Sequence, residues 1–203
     1  MRLDKFLCDL QLGTRSHVKD AIKKGLVSVN GVPVRLPEWK LDERRDTVIY
    51  MGKSLTYLQF HYYMLHKPAG IVTATRDQHE TTVMDLLPAG CGKNLSPVGR
   101  LDKDTEGLLL ITNDGELAHR LLSPKKHVEK TYYLECSGVL TADGLAMLEN
   151  GVDIGDEAVT QPAKVRLITR SDCSYHMELT ITEGRFHQVK RMVQAVGGSV
   201  TYL

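Results

Sequence analysis

The feature that most narrows what this chain can fold into is Leu108-Leu109-Leu110-Ile111, four apolar residues in a row. A short apolar run bounded by polar segments reads as a strand buried in a sheet. In front of it stands Arg100-Leu101-Asp102-Lys103-Asp104-Thr105-Glu106, which carries charges of both signs. Behind it, Asn113-Asp114-Gly115 supplies turn chemistry, because these residue types tolerate positive φ. A loop bearing Arg100, Asp102, Asp104 and Glu106 therefore leads into a strand that reads as central, and loops held by a rigid scaffold are where catalytic groups concentrate.

Bulk properties set the frame. The 203 residues, 42% hydrophobic and 25% charged, suit one large domain or a small one joined to a medium one, in a soluble globular protein. There is no apolar run of about 18 residues to span a membrane, and Met1-Arg2-Leu3-Asp4-Lys5-Phe6 has neither the apolar core nor the cleavage site of a secretory signal. Cys8, Cys91, Cys136 and Cys173 have no paired spacing. They read as reduced thiols of a cytoplasmic protein, with no zinc site or disulfide framework. The net charge of +1 hides an asymmetry: residues 1–45 hold ten Lys/Arg against six Asp/Glu, or +4, and the remainder 16 against 19, or −3. A basic module on a nearly neutral body suggests a binding element for a polyanion; a solvated helical face is the other reading.

Read in order, Leu3, Phe6, Leu7 and Leu10 form a helical stripe over residues 3–12, which Gly13 can end. Thr14 and Ser16 offer capping hydroxyls to a second helix with Val18, Ala21 and Ile22 inward, stopped by Gly25. Leu26–Val29, Asn30-Gly31 and Val32–Val34 then read as a β-hairpin. Residues 46–60 add one strand and a connection around Gly52-Lys53-Ser54. Residues 61–74 read as strand, turn, strand, and 83–87 as a helical turn. Residues 116–122 and 141–150 read as helices, 131–136 and 177–182 as strands, and 152–176 as short strands and turns. A helix near the C-terminus would bury Phe186, Val189, Val193 and Val196. The expected class is α+β: a small N-terminal domain over 1–58, and a mixed, mainly antiparallel-sheet domain over 59–203.

Four motifs carry a resemblance. Lys67-Pro68-x-Gly70, Gly99-Arg100-Leu101-Asp102-x-x-Thr105-x-Gly107-Leu108-Leu109, Lys130-Thr131-Tyr132 and Glu183-Gly184-Arg185-Phe186-His187-Gln188-Val189-Lys190-Arg191-Met192 resemble, in order, the signatures of pseudouridine synthases of the RsuA and RluA group. Leu3-Asp4-Lys5-Phe6, Thr14-Arg15-Ser16 and Gly25-Leu26-Val27-x-Val29-Asn30-Gly31 resemble the S4 RNA-binding domain. The resemblance implies that Asp102 is the catalytic carboxylate and that Tyr132 stacks on the target base. Lys190 would be the basic partner of Asp102, a point charge where relatives carry the planar Arg fork. It further implies supporting roles for Arg100, Ile181 (the apolar cleft residue) and Arg185 (loop support or RNA contact). Phosphate contacts would come from Arg2, Lys5, Arg15, Lys19 and Lys23, with Lys67 shaping the cleft floor and touching RNA. His187 reads as a structural partner within its motif. Tyr132 and Tyr133 alternate, so only one can face the cleft.

The expected activity is isomerisation of one uridine in ribosomal RNA, first of all uridine 516 of 16S rRNA, with a 23S target or a non-catalytic ribosome-assembly factor as alternatives. The expectation includes no metal or other cofactor, a monomer, a cytoplasmic location, no membrane, and ribosomal RNA as partner. Members of the group run some thirty residues past Leu203, so a C-terminal truncation is also expected.

Overall fold

The computed structural model describes residues 1–171 and 173–203. Its N-terminal part begins with α1 (Leu3–Asp9) and α2 (Arg15–Lys23). The Thr14 hydroxyl accepts a hydrogen bond from the His17 N–H at 3.3 Å, as an N-cap should. Strands β1 (Val27–Val29) and β2 (Val32–Pro33) follow, joined by Asn30 and Gly31 at φ 51° and 81°. Two positive φ values in a two-residue loop match the right-handed twist of the flanking strands. A second hairpin, β3 (Val48–Tyr50) and β4 (Lys53–Leu55), turns through Met51 and Gly52 at φ 49° and 79°. One strand and a connection at 52–54 are expected here from the sequence. Met51 in the left-handed region is what hid the turn, since unbranched apolar residues seldom occupy it. The sheet order is β2-β1-β3-β4. Leu3, Phe6, Leu7, Val18, Ile22 and Val48 bury themselves against it, at about 1.5–3 kcal/mol per large side chain. Trp39, the only tryptophan, stands 45% exposed on the loop after β2, and its carbonyl accepts the Leu3 N–H at 2.8 Å.

Next come β5 (Tyr62–Lys67), a 3-10 turn at Val83–Leu86, β6 (Ser96–Pro97) and β7 (Gly107–Thr112). β7 is the middle strand of the order β5-β7-β6. It is not buried throughout: Leu109 and Ile111 are 3% and 0% exposed, but Leu108 is 68% exposed, so the run alternates. Asn113, Asp114 and Gly115 have negative φ; the chain passes directly into α3 (Gly115–Leu122). Of the second strand expected within 71–74, only an isolated bridge, Val72 to Thr82, is present.

β8 (Lys130–Gly138), α4 (Ala142–Asn150), β9 (Lys164–Arg170), β10 (Ser174–Ile181), α5 (Gln188–Ala195) and β11 (Gly198–Tyr202) complete the chain. All pairings in the β11-β8-β10-β9 sheet are antiparallel. Leu134, Met177, Leu179, Met192 and Val193 form its core, each 0% exposed. Two expectations fail here. β9 is one seven-residue strand rather than short pieces. Phe186 is 74% exposed and precedes α5, and Met192 takes the core position assigned to it.

The chain divides into two compact units: residues 1–63, 86–96 and 111–114 in one, and residues 64–85, 97–110 and 115–203 in the other. No helix among the described residues is long and apolar enough to cross a membrane.

Candidate active site

The loop between β6 and β7 is held by its backbone, which frees its side chains. The Lys67 ammonium donates to the carbonyls of Pro68, Lys103 and Thr105 at 3.1, 3.1 and 2.8 Å. The Gly70 N–H also donates to the Lys103 carbonyl, at 2.7 Å. The Thr73 hydroxyl donates to the Leu101 carbonyl at 2.7 Å. Leu101, Lys103 and Thr105 are thus all tied down, and Asp102 stands among them. This is what Lys67-Pro68-x-Gly70 does. It also corrects one expectation: Lys67 is 0% exposed and cannot reach RNA. Burial pushes its ammonium below the ordinary lysine range, against the pull of Asp104, Asp102 and Glu106.

Asp102, 25% exposed, faces the N-terminal end of α5. Lys190 Nζ lies 3.3 Å from Asp102 Oδ2 and 2.5 Å from Asp104 Oδ1. Burial works against the charge on Lys190, but its hydrogen bonds to Asp104 and Asp102 outweigh that and raise its pKa above the ordinary value. The Lys190 hydrogen bond in turn lowers the pKa of Asp104. Two acidic side chains and one ammonium therefore sit together. His187, expected to be a structural partner within its motif, approaches from the same helix end: its Nε2 is 3.6 Å from Asp102 Oδ1.

Tyr132 belongs to β8, opposite Leu179 of β10, and packs on the core with Leu134. Burial pushes its phenol pKa up and the Asp102 charge adds to the shift, so ring and carboxylate lie within electrostatic range. Tyr133 points to the other face, where its hydroxyl donates to Glu135 at 3.0 Å. Alternation separates the two tyrosines as expected.

The remaining residues divide. Arg185 anchors the 156–159 segment, donating to the Ala158 and Val159 carbonyls at 2.6 and 2.8 Å and pairing with Glu183 at 3.1 Å. Ile181, 2% exposed, is part of the core, and Arg100 is exposed. In the other unit, Arg2 is not a free cation. It grips Asp4 through two hydrogen bonds, 2.9 and 2.8 Å, and Glu38 through one, 3.1 Å. The reason is Asp4, fully buried and in need of a counter-charge. Lys5, Arg15 and Lys23 are exposed and Lys19 partly so. Among the described residues, no group of three His, Cys, Asp or Glu side chains could hold a metal ion.

A family model for RNA pseudouridylate synthase matches residues 61–195, and one for the S4 domain matches residues 1–48. The chain belongs to the RNA pseudouridylate synthase family: it is an RNA-uridine isomerase that carries an S4 domain ahead of its catalytic part. Among its relatives is the RNA pseudouridine synthase YtzG of Bacillus subtilis, 45% identical over 100% of this chain and 85% of that protein. The ribosomal small subunit pseudouridine synthases A of Escherichia coli and Vibrio cholerae are 41% and 39% identical, over 100% and 98% of this chain and 87% and 85% of theirs. A crystal structure of a pseudouridylate synthase superposes with a TM-score of 0.64 at 36% identity, covering 100% of this chain and 86% of that one.

Proposed function

We propose that the protein converts one uridine of ribosomal RNA to pseudouridine, with small-subunit RNA as the substrate and uridine 516 of 16S rRNA as the target. The choice of small-subunit RNA rests on relatives near 40% identity that bear that name. The observation that carries the chemistry is the contact of Asp102 with Lys190, 3.3 Å apart across 88 positions of sequence. The ammonium holds and orients the carboxylate, a group that can attack an electrophilic carbon. In the reaction the N1–C1′ bond breaks, the uracil turns, a C5–C1′ bond forms, the proton on C5 leaves to solvent, and N1 takes up a proton in its place. No atoms are gained or lost. Tyr132 supplies the flat apolar surface on which the detached base is held while it turns, and its raised pKa keeps the phenol protonated at neutral pH. The target must leave its stack to reach Asp102. The S4 domain supplies sequence-independent grip through Lys5, Arg15, Lys19 and Lys23, and Arg100, exposed on the loop that carries Asp102, supports the active site.

Tritium release from RNA labelled at uridine C5 tests this. The protein is expected to release tritium from small-subunit rRNA, free or in partly assembled particles, while Asp102→Asn releases none and binds the RNA as well as the parent. Release from 23S rRNA alone would move the target to the large subunit. Silence from the parent on every RNA, with binding intact, would overturn the catalytic reading in favour of a binding factor.

A further inference from the structure

We propose that Phe186, backed by His187, is the wedge that takes the place of the target uridine in the RNA stack, with its outer face against the neighbouring base. The proposal rests on the isomerase reading above and adds to it the residue that keeps the base out.

Phe186 is an apolar ring left 74% exposed in the segment that delivers Lys190. Such exposure runs against its hydrophobicity, yet the ring is held in a defined plane. Its inner face lies on the His187 imidazole, with centroids 3.8 Å apart and planes inclined by 18°. His187 is fixed in turn. Its backbone sits at φ 47°, a left-handed conformation costly for a residue with a Cβ, as N-cap of α5. Its Nε2 is 3.6 Å from Asp102 Oδ1. The Phe186 carbonyl accepts from Arg191 Nη1 at 3.1 Å, and Arg191 is itself locked to Asp156 at 2.5 Å. A bare aromatic plate is therefore mounted rigidly, one ring's thickness from the side chain that touches the catalytic carboxylate.

A second nucleobase is the ligand this plate fits. Its open face offers no hydrogen-bonding group, so it selects for a flat π-surface rather than for sequence. Asp102 requires a base to be withdrawn from its stack nearby, and apolar side chains inserted between base steps are a general means of holding such a gap open.

The test uses the full chain and a hairpin RNA carrying the target uridine within a stem, next to 2-aminopurine. A second RNA places the same uridine in an unstacked loop. Single-turnover tritium release by Phe186→Ala is expected to fall about ten-fold on the stem, the lower range for loss of one base stack. On the loop it is expected to stay within about two-fold, because no gap need be held. Phe186→Tyr, which keeps the plate, is expected to match the parent on both. In an Asp102→Asn background, 2-aminopurine emission should rise on binding the stem, and the added Phe186→Ala change should abolish the rise. Equal loss on both RNAs, no loss on either, or an unchanged emission rise would overturn the proposal while leaving the isomerase reading intact. Silence of the parent on both RNAs would remove that reading and this one with it.

Discussion

At the residue scale, Lys67 and Lys190 show how alike two lysines can look in sequence and how differently they serve. Lys67 has three backbone carbonyls around it and no access to solvent. Replacing it with methionine keeps the volume and removes the donors, leaving buried carbonyls unpaired at about 1–3 kcal/mol of lost stability. The expected outcome for Lys67→Met is a lower urea midpoint and a slower single-turnover rate with RNA affinity unchanged, because the loop loosens and the RNA face does not. Asp104 answers to pH with a determined sign. Its folded pKa lies below the ordinary 3.8, so its contribution to stability is present above that value and fades as pH falls through the folded pKa. Asp104→Asn should therefore unfold at lower urea than the parent at pH 7, and the two should converge in strong acid. Lys190 gives the opposite limb: its raised pKa means that its contribution holds below the ordinary 10.5 and is lost only as pH climbs past the folded value. Much of this was hidden in the sequence. Asp102 could be found because its whole motif is local, eight matching residues within eleven positions. Burial of Lys67 could not, because a lysine before a proline reads as exposed until the 98–106 loop closes over it. The approach of His187 to Asp102 spans 85 positions and leaves no local trace.

At the element scale, the helices and hairpins with strong punctuation were legible: Thr14 before α2 and Asn30-Gly31 between β1 and β2. The β3–β4 hairpin was not, because its turn is made by Met51. Two glycines with positive φ make the same point energetically. Gly31, at φ 81°, has open space where a Cβ would stand. Gly31→Ala should cost only left-handed strain, about 1–3 kcal/mol. Gly138, at φ 116°, would put its Cβ 2.6 Å from the Gly197 carbonyl oxygen, where β8 meets β11. Gly138→Ala should therefore shift the urea midpoint clearly further than Gly31→Ala, and hydrogen exchange should locate the loss in β11. Truncating the centre of the same sheet, Met177→Ala, leaves a cavity and should cost about 2–5 kcal/mol.

At the scale of the whole molecule, the division of charge seen in the sequence corresponds to a division of labour. The basic module retains exposed Lys5, Arg15 and Lys23 after Asp4 and Glu38 have neutralised Arg2. Each of the three, changed to alanine, is expected to reduce the salt dependence of RNA binding by about one counterion without altering the rate once RNA is bound. Binding titrations across a range of salt concentrations would show it. Trp39 gives this molecule a further property. It is the only tryptophan, it is half open to water, and it lies on the S4 part of the chain, hydrogen-bonded to the start of α1. Light that excites indole alone will therefore be answered by one residue, in one unit, far along the sequence from Asp102. Its emission reports the state of the RNA-gripping module separately from that of the catalytic one, so the order in which the two units melt, or engage RNA, can be read from the unlabelled protein.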